Sequence, residues 1–256
     1  MKHALIALLF SVAAALAGIN ALNDVNIIDD ANILLNGEAE DQVAEGAYYP
    51  PSGMRAWWEA HEFTNASGKV VDSSGNDITG TPGTGGAAPS WSNNYGGEFI
   101  FDGGDVIYYS DNAAASATAV TFRCWARSDA PANLDCIFGD SAGANLFMVS
   151  GTKWRIRKDY TYSDYGNTVT TNWTHLVLTW NTDDDYFRLY ENATQTIFAT
   201  NASATWTILP ALGHRGVQTG WGWDGIIDDI LWYDDREWGQ AAIDADYEGT
   251  QDTYEE

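Results

Sequence analysis

From Met54 onward, apolar residues alternate with polar ones in short runs, and clusters of Gly, Asn, Asp and Ser separate the runs. Period-two alternation between turn clusters is the mark of half-buried strands. The pattern predicts strands over residues 54–60, 98–101, 106–109, 120–126, 134–138, 145–149, 153–157, 173–180, 186–190, 196–199, 205–209 and 225–233. That is enough strand for two packed sheets, so the fold class is all-β, a two-sheet antiparallel sandwich. Two long polar stretches, residues 72–95 and 159–172, read as loops, and loops of this kind carry function more often than the scaffold does. The carboxyl end predicts a short helix over 237–247 and an acidic, mobile tail over 249–256.

The amino terminus has a different pattern. Met1-Lys2-His3 precedes an unbroken apolar run, Ala4 to Ala17, that ends in Ala15-Leu16-Ala17. This is the layout of a secretory signal, and the run is short for a bilayer span of about twenty residues. Residues 1–17 are therefore a signal peptide or a retained hydrophobic segment. Residues 18–53 follow neither period and read as an arm or linker, closed by the breakers Tyr49-Pro50-Pro51-Ser52-Gly53. Export would permit a disulfide. Cys124 and Cys136 fall opposite each other if residues 120–126 and 134–138 form a hairpin; the alternative is two buried free thiols.

Charge narrows the partners. With 36 acidic side chains against 12 basic ones, the net charge is −24, so a nucleic-acid backbone or an anionic lipid surface would be repelled. Calcium, cationic groups and neutral glycans suit such a chain better. The acidity fits a saline habitat or an exposed life, and solubility alone also accounts for it.

One acid stands apart. In Gly222 to Tyr233, alternation puts Asp228 on the face of Ile226, Ile230 and Trp232, with Asp229 on the other. A carboxylate on a buried face must be hydrogen-bonded, paired or bound to a metal. Glycan hydrolysis needs two carboxylates flanking one bond, and no such pair shares a face here. Asp228 and Asp229 face opposite ways, and Trp232 stands where a third acid would be wanted. His61, His175 and His214 are scattered, and His175 reads as a packed strand residue. No catalytic residue is assigned.

Several motifs follow one another in order. Trp57 and Trp58 lie on an opening strand, and Asp72-Ser73-Ser74-Gly75-Asn76-Asp77 forms a loop after it. Gly97-Glu98-Phe99-Ile100-Phe101-Asp102-Gly103-Gly104-Asp105 comes next, then Val120 to Trp125, then Asn172 to Trp180. Phe187-Arg188-Leu189-Tyr190-Glu191-Asn192 precedes the closing Gly225-Ile226-Ile227-Asp228-Asp229. In this order the motifs resemble the laminin-G-like, concanavalin A-like jelly rolls over residues 54–248. The resemblance implies a jelly-roll sandwich and a family whose members mostly bind sugars or proteins, although some glycan hydrolases share the architecture. It also implies a structural calcium ion between early loops and the last strand, for which Asp228 with Asp72 or Asn76 is the candidate set; Asp228 capped by backbone N–H groups is the alternative. One departure is Asn192-Ala193 where the family's tight turn reads Asn-Gly.

Sugar recognition needs aromatic plates beside polar groups. Tyr160, Tyr162 and Tyr165 crowd the polar stretch 159–172; Trp221 and Trp223 flank Gly222; Trp91 lies in the stretch 72–95. Each ring is a candidate ligand plate, or packs on neighbouring loops. Sequons at Asn65, Asn172, Asn192 and Asn201 are glycosylation candidates, Asn192 foremost because it falls in a turn. Two functions are expected: a secreted, non-enzymatic module for adhesion or recognition that binds a glycan or a surface protein, or a structural subunit of an extracellular filament, surface layer or virion that self-assembles into a homopolymer through residues 1–50.

Overall fold

The computed structural model describes residues 25–27, 33–35, 53–58, 69–92, 94–109, 119–131, 135–140, 146–158, 161–181, 183–184, 186–200, 210–214 and 221–254. The chain divides into two compact units, Met1–Ala44 and Glu45–Glu256. In the first, β1 (Val25–Ile27) pairs antiparallel with β2 (Ile33–Leu35). The apolar leader, most of the arm and the strand expected at 205–209 lie outside the described residues.

The second unit is a sandwich of two antiparallel sheets. One has eight strands, in the order β15 (Thr194–Thr200), β14 (Tyr186–Glu191), β13 (Thr174–Asn181), β8 (Ala119–Ser128), β17 (Asp224–Tyr233), β6 (Glu98–Asp102) and β5 (Ser90–Ser92), with β3 (Ala56–Trp58) also paired to β17. The other has seven, in the order β12 (Thr161–Thr168), β11 (Lys153–Lys158), β10 (Leu146–Ser150), β9 (Cys136–Asp140), β16 (Pro210–Leu212), β7 (Ile107–Tyr109) and β4 (Gly80–Pro82). The alternation read from the sequence is what packs them. Phe122, Cys124 and Ala126 on β8, Leu176, Leu178 and Trp180 on β13, and Trp154 and Ile156 on β11 all enter one core. Phe122 and Phe138 stack at 4.4 Å within it.

A helix, α1 (Gln240–Tyr254), forms a third layer on the outer face of the eight-stranded sheet. Trp238 and Ile243 pack there with Val177, Tyr190, Leu231 and Tyr233. Further along, Tyr254 packs with Trp125, Trp173 and Ile226. The acidic tail expected from residue 249 is thus corrected: helix continues to Tyr254, whose ring is buried. Ile243, Asp246, Thr250 and Tyr254 recur at helical spacing and are the buried residues of the helix. Among the described residues no helix is long and apolar enough to cross a membrane.

Strand β17 is the spine of this sheet. It pairs with β8 along one edge, and along the other with β6 up to Ile227 and with β3 from Ile230. Between those partners Asp229 takes a left-handed conformation, φ 46°, and the register with β8 shifts between Asp228 and Leu231. Such a bulge reverses the alternation beyond it. Ile226 and Asp228 face α1, whereas Ile230 and Trp232 enter the core between the sheets. Asp228 therefore shares a face with Ile226 alone of the three residues expected.

The cysteine hairpin does not form. β8 and β9 belong to opposite sheets, because β13 and β17 occupy both edges of β8 while β10 and β16 flank β9. Cys124 and Cys136 are buried free thiols, and burial pushes that of Cys124 well up. The turn after Tyr190 is as tight as an Asn-Gly turn would be. Glu191 pairs with Thr194 across Asn192 and Ala193, at φ 48° and 60°, so Ala193 accepts a left-handed conformation that costs an L-residue about 1 kcal/mol.

Candidate functional site

Asp228 sits in a buried polar network that joins the eight-stranded sheet to α1. Its Oδ2 accepts the Tyr254 hydroxyl at 2.7 Å, and its Oδ1 accepts the backbone N–H of Asp229 at 2.7 Å. Burial, and then the neighbouring Asp229 charge, push its carboxyl up to about 8, so it is largely protonated at neutral pH. Beside it, the buried Arg123 of β8 donates through Nε and Nη2 to Asp246 of α1 at 2.8 and 2.7 Å. The Nη1 of Arg123 meets Asp229 twice, at the backbone oxygen and at Oδ2, both at 2.6 Å. His175 Nε2 lies 2.6 Å from Asp246 Oδ2, and the Trp125 indole donates to Thr250 at 3.0 Å. Every member is a sheet residue reaching the helix or the reverse. The network holds α1 down, and the two adjacent acids are consumed in doing so, one neutral beneath the helix and one paired with Arg123 and Trp57.

The candidate calcium ligands are engaged in hydrogen bonds within the protein. Asp72 Oδ1 accepts the backbone N–H groups of Trp57 and Ser74, and Oδ2 accepts that of Ile78. Three converging N–H groups satisfy a carboxylate and repel a cation. Asn76 turns its amide nitrogen to the Met54 and Arg55 carbonyls. Both oxygens of Asp228 are taken, by the Asp229 N–H and the Tyr254 hydroxyl. Among the described residues no group of three or more His, Cys, Asp or Glu side chains is placed to hold a metal.

The aromatic candidates separate. Trp223 is fully buried, stacks on Trp154 at 5.9 Å and is a core residue, not a ligand plate. Trp91 lies on β5, in register with Phe99, and packs half-buried against the core, not in a loop. Tyr160 lies outside the described residues, as do Asn65 and Asn201. Asn172 and Asn192 are exposed, and Asn192 Oδ1 accepts the backbone N–H of His175 at 2.9 Å. Tyr162 and Tyr165 belong to strand β12, so the polar loop expected at 159–172 is largely a strand. Register shifts break the alternation along β12, so no period-two signal ran through it in the sequence.

Register places Tyr162 opposite Arg157 and Tyr165 opposite Arg155. The row continues across the sheet from Arg157 to Leu146, Gly139, Ala211, Tyr108 and Thr81. Neighbouring strands lie about 4.8 Å apart, so Arg157 and Tyr108 are separated by roughly 19 Å. Gly139 and Ala211, which follow Leu146 in the row, are both buried, Ala211 to 1%, so the middle of this face is covered, while Tyr108 at the far end is 41% exposed. At the near end Arg157 is buried with its guanidinium over the half-buried Trp221 ring, 5.7 Å from the centroid. Arg155 Nη1 donates to Ser150 Oγ at 3.2 Å, and Lys153 is exposed. Trp154 and Ile156 point the other way into the core, which fixes the three cations on the outer side. The sequence signal for this face was Lys153-Trp154-Arg155-Ile156-Arg157-Lys158, which sequence reasoning used only as a strand.

Comparison with solved structures finds the same sandwich elsewhere at low identity. The chain matches domain 4 of a GH43 extracellular arabinanase from Geobacillus stearothermophilus, in complex with arabinotriose, with TM-score 0.60 and 16% identity, over 80% of this chain and 99% of that one. It matches Trypanosoma rangeli sialidase with TM-score 0.60 and 12% identity over 79% of this chain, which is 34% of the sialidase. The ligand-binding domain of botulinum neurotoxin serotype D, in complex with N-acetylneuraminic acid, matches with TM-score 0.58 and 15% identity, over 77% of this chain and 51% of that one. No family model matches the chain, and no curated protein matches its sequence. What these likenesses establish is the fold, an all-β jelly-roll sandwich.

Proposed function

We propose that the chain is a secreted, non-catalytic carbohydrate-binding module of the laminin-G-like, concanavalin A-like kind, and that the outer face of the seven-stranded sheet receives the glycan. The observation that carries this reading is the Tyr108 ring, 41% exposed on the outer face of that sheet, where a pyranose face could stack on it. Pockets for sugars combine such apolar plates with a few fixed polar groups. Two supports come from the likenesses: the arabinanase domain holds arabinotriose, and the toxin domain holds N-acetylneuraminic acid. A protein surface is the companion partner, since a related toxin binding domain is in complex with rat synaptotagmin II. The absence of catalysis is argued from Asp228 and Asp229, which the helix network occupies. A glycan array probed with the full chain and with Tyr108→Ala tests the reading. Tyr108 is exposed, so the variant is expected to keep its fold and lose at least about ten-fold in affinity, the scale of one lost stacking contact. An array empty for the full chain, or unchanged by the substitution, overturns it.

A structural-subunit reading rests on one feature. Residues Met1–Ala44 form a unit of their own, in which β1 and β2 make a two-stranded sheet. Two strands alone are marginally stable in water and offer edges for pairing with other chains. Filaments in electron micrographs of the full chain, lost when residues 1–44 are removed, would establish that reading. Monomers in both samples would end it.

A further inference from the structure

We propose that the chain carries a second saccharide site on its other outer face, where the Phe198 ring of β15 is the stacking plate and Arg188 of β14 supplies the hydrogen bonds, and that this site takes an uncharged sugar residue. The inference rests on the carbohydrate-binding reading and adds to it a site and a ligand class. With Tyr108 it makes the module bivalent.

Face and exposure follow from the pattern of β14 and β15. Phe187, Leu189 and Ile197 enter the core, so Tyr186, Arg188 and Phe198, which alternate with them, stand on the outer side of the eight-stranded sheet. Tyr108, between the core residues Ile107 and Tyr109, stands on the outer side of the other sheet. One sugar residue cannot reach both. Phe198 is 50% exposed, and among the described residues no large apolar side chain is more so. The other exposed positions of β15 are Thr194, Gln195 and Thr200, polar residues of the sort a solvated strand face carries. A Phe in their company leaves half of its surface in water.

The ring is nonetheless held in a fixed group. The Arg188 guanidinium lies 4.2 Å from the centroid of the Tyr186 ring and 5.6 Å from that of Phe198, and the two rings are 5.8 Å apart. Glu237 anchors the group, its Oε1 accepting from Arg188 Nη1 at 3.0 Å and its Oε2 accepting the Tyr186 hydroxyl. Thr179 and Asn181 donate to the same carboxylate at 3.4 and 3.5 Å. Plate and donor are therefore in place before a ligand arrives, which reduces the entropy lost on binding. A guanidinium has more N–H donors than one carboxylate oxygen uses. Nη1 serves Glu237, whereas Nε and Nη2 of Arg188 have no partner among the described residues and are not buried.

The make-up of the group selects the ligand. Glu237 answers the charge of Arg188 within the group, so little is left to attract an acidic sugar, and the chain as a whole, at −24, repels one. Solvent-facing donors beside an apolar ring suit the hydroxyls and the C–H face of a neutral sugar. Scale argues against a protein partner. A stable protein interface buries about 800 Å² on each side, and one ring flanked by polar groups is nearer the size of a single sugar residue.

NMR of the full chain with isotope-labelled Phe and Tyr rings follows the two sites separately. The Phe198 signal is the one missing from Phe198→Leu, and the Tyr108 signal the one missing from Tyr108→Ala. The titrants are arabinotriose, xylohexaose, cellohexaose and maltoheptaose, with lactose against sialyllactose for charge. At least one neutral oligosaccharide is expected to move the Phe198 signal. Arg188→Gln should raise the midpoint of that shift at least about ten-fold, the scale of a lost hydrogen bond to a charged group, and leave the Tyr108 signal and its midpoint unchanged as the check on folding. Movement of Phe198 with Tyr108 still would keep the inference and remove Tyr108 from the reading. A Phe198 signal that no neutral sugar moves, while Tyr108 responds, overturns the inference and leaves the carbohydrate-binding reading standing. An unchanged midpoint in Arg188→Gln, or sialyllactose bound more tightly than lactose at Phe198, overturns the assigned donor or the ligand class. A Phe198 signal that moves with protein concentration alone makes the ring a contact between copies and overturns the site. If no saccharide moves either signal, both readings fall.

Discussion

A single carboxyl shows how local burial sets a property of the fold. Asp228 would titrate near 3.8 in the unfolded chain, and burial, then Asp229, push it up to about 8 in the folded one. The folded state holds the proton more tightly, so this group's contribution to stability is fully present below 3.8 and is lost as pH rises toward 8. Two neighbours act in the opposite direction. Burial alone would raise Asp246, but Arg123 and His175 outweigh it and hold the carboxyl well below its usual range; its contribution is present above 3.8 and lost as pH falls. Burial holds His175 below 6.5 against the pull of Asp246, so its contribution too is present above 6.5 and lost in acid. Since ionised Asp246 only accepts, His175 carries its proton on Nε2. Asp228→Asn keeps an acceptor for Tyr254 and removes the alkaline loss. Melting curves across pH 4 to 9 should show the wild type losing ground to the Asn variant as pH rises, with the difference level above about 8. A difference that stays constant across that range would mean Asp228 is ionised throughout.

At the scale of elements, α1 and the sheet beneath it are joined by charge as well as by apolar contact. Arg123 and Asp246 are both buried and hydrogen-bonded to each other twice, and removing one partner of such a pair strands the other. Asp246→Ala should therefore cost about 3 to 5 kcal/mol in urea denaturation. Arg123→Met with Asp246→Leu should recover only part of that loss, because it removes both buried charges but leaves the His175 Nε2–H and the Asp229 carboxylate without these partners. If the double variant is as unstable as the single one, the pair holds the helix in a way packing cannot replace. How far the sequence revealed these elements follows from the range of the forces involved. β6, β8, β11, β13, β14 and β17 were legible because alternation is a local signal. The edge strand β12 was not, since a strand at a sheet edge carries polar residues on both sides of its pattern. Pairing is non-local, and the Cys124–Cys136 hairpin failed because the chain between them crosses from one sheet to the other. The Asp228 face was misread for a third reason. One left-handed residue, Asp229, reverses every side chain after it, and nothing in Ile227-Asp228-Asp229-Ile230 announces it. The site suffered in the same way: the cations of β11 were visible as letters, but that Tyr162 and Tyr165 stand beside them depends on the register of β12.

At the scale of the molecule, the net charge of −24 sets how stability responds to salt. Self-repulsion among 36 acidic side chains raises the energy of the compact state more than that of the expanded chain, and salt screens it. The melting temperature should therefore rise as NaCl goes from about 50 mM, where the Debye length is some 14 Å, to about 1 M, where it is near 3 Å. A gain of several degrees corresponds to roughly 1 to 2 kcal/mol for a domain of this size. Sulfate strengthens apolar burial as well as screening, so chloride is the cleaner probe. If the melting temperature falls instead, screening acts on stabilising ion pairs such as Arg188 with Glu237 more than on self-repulsion, and the acidity would then be a surface the fold depends on.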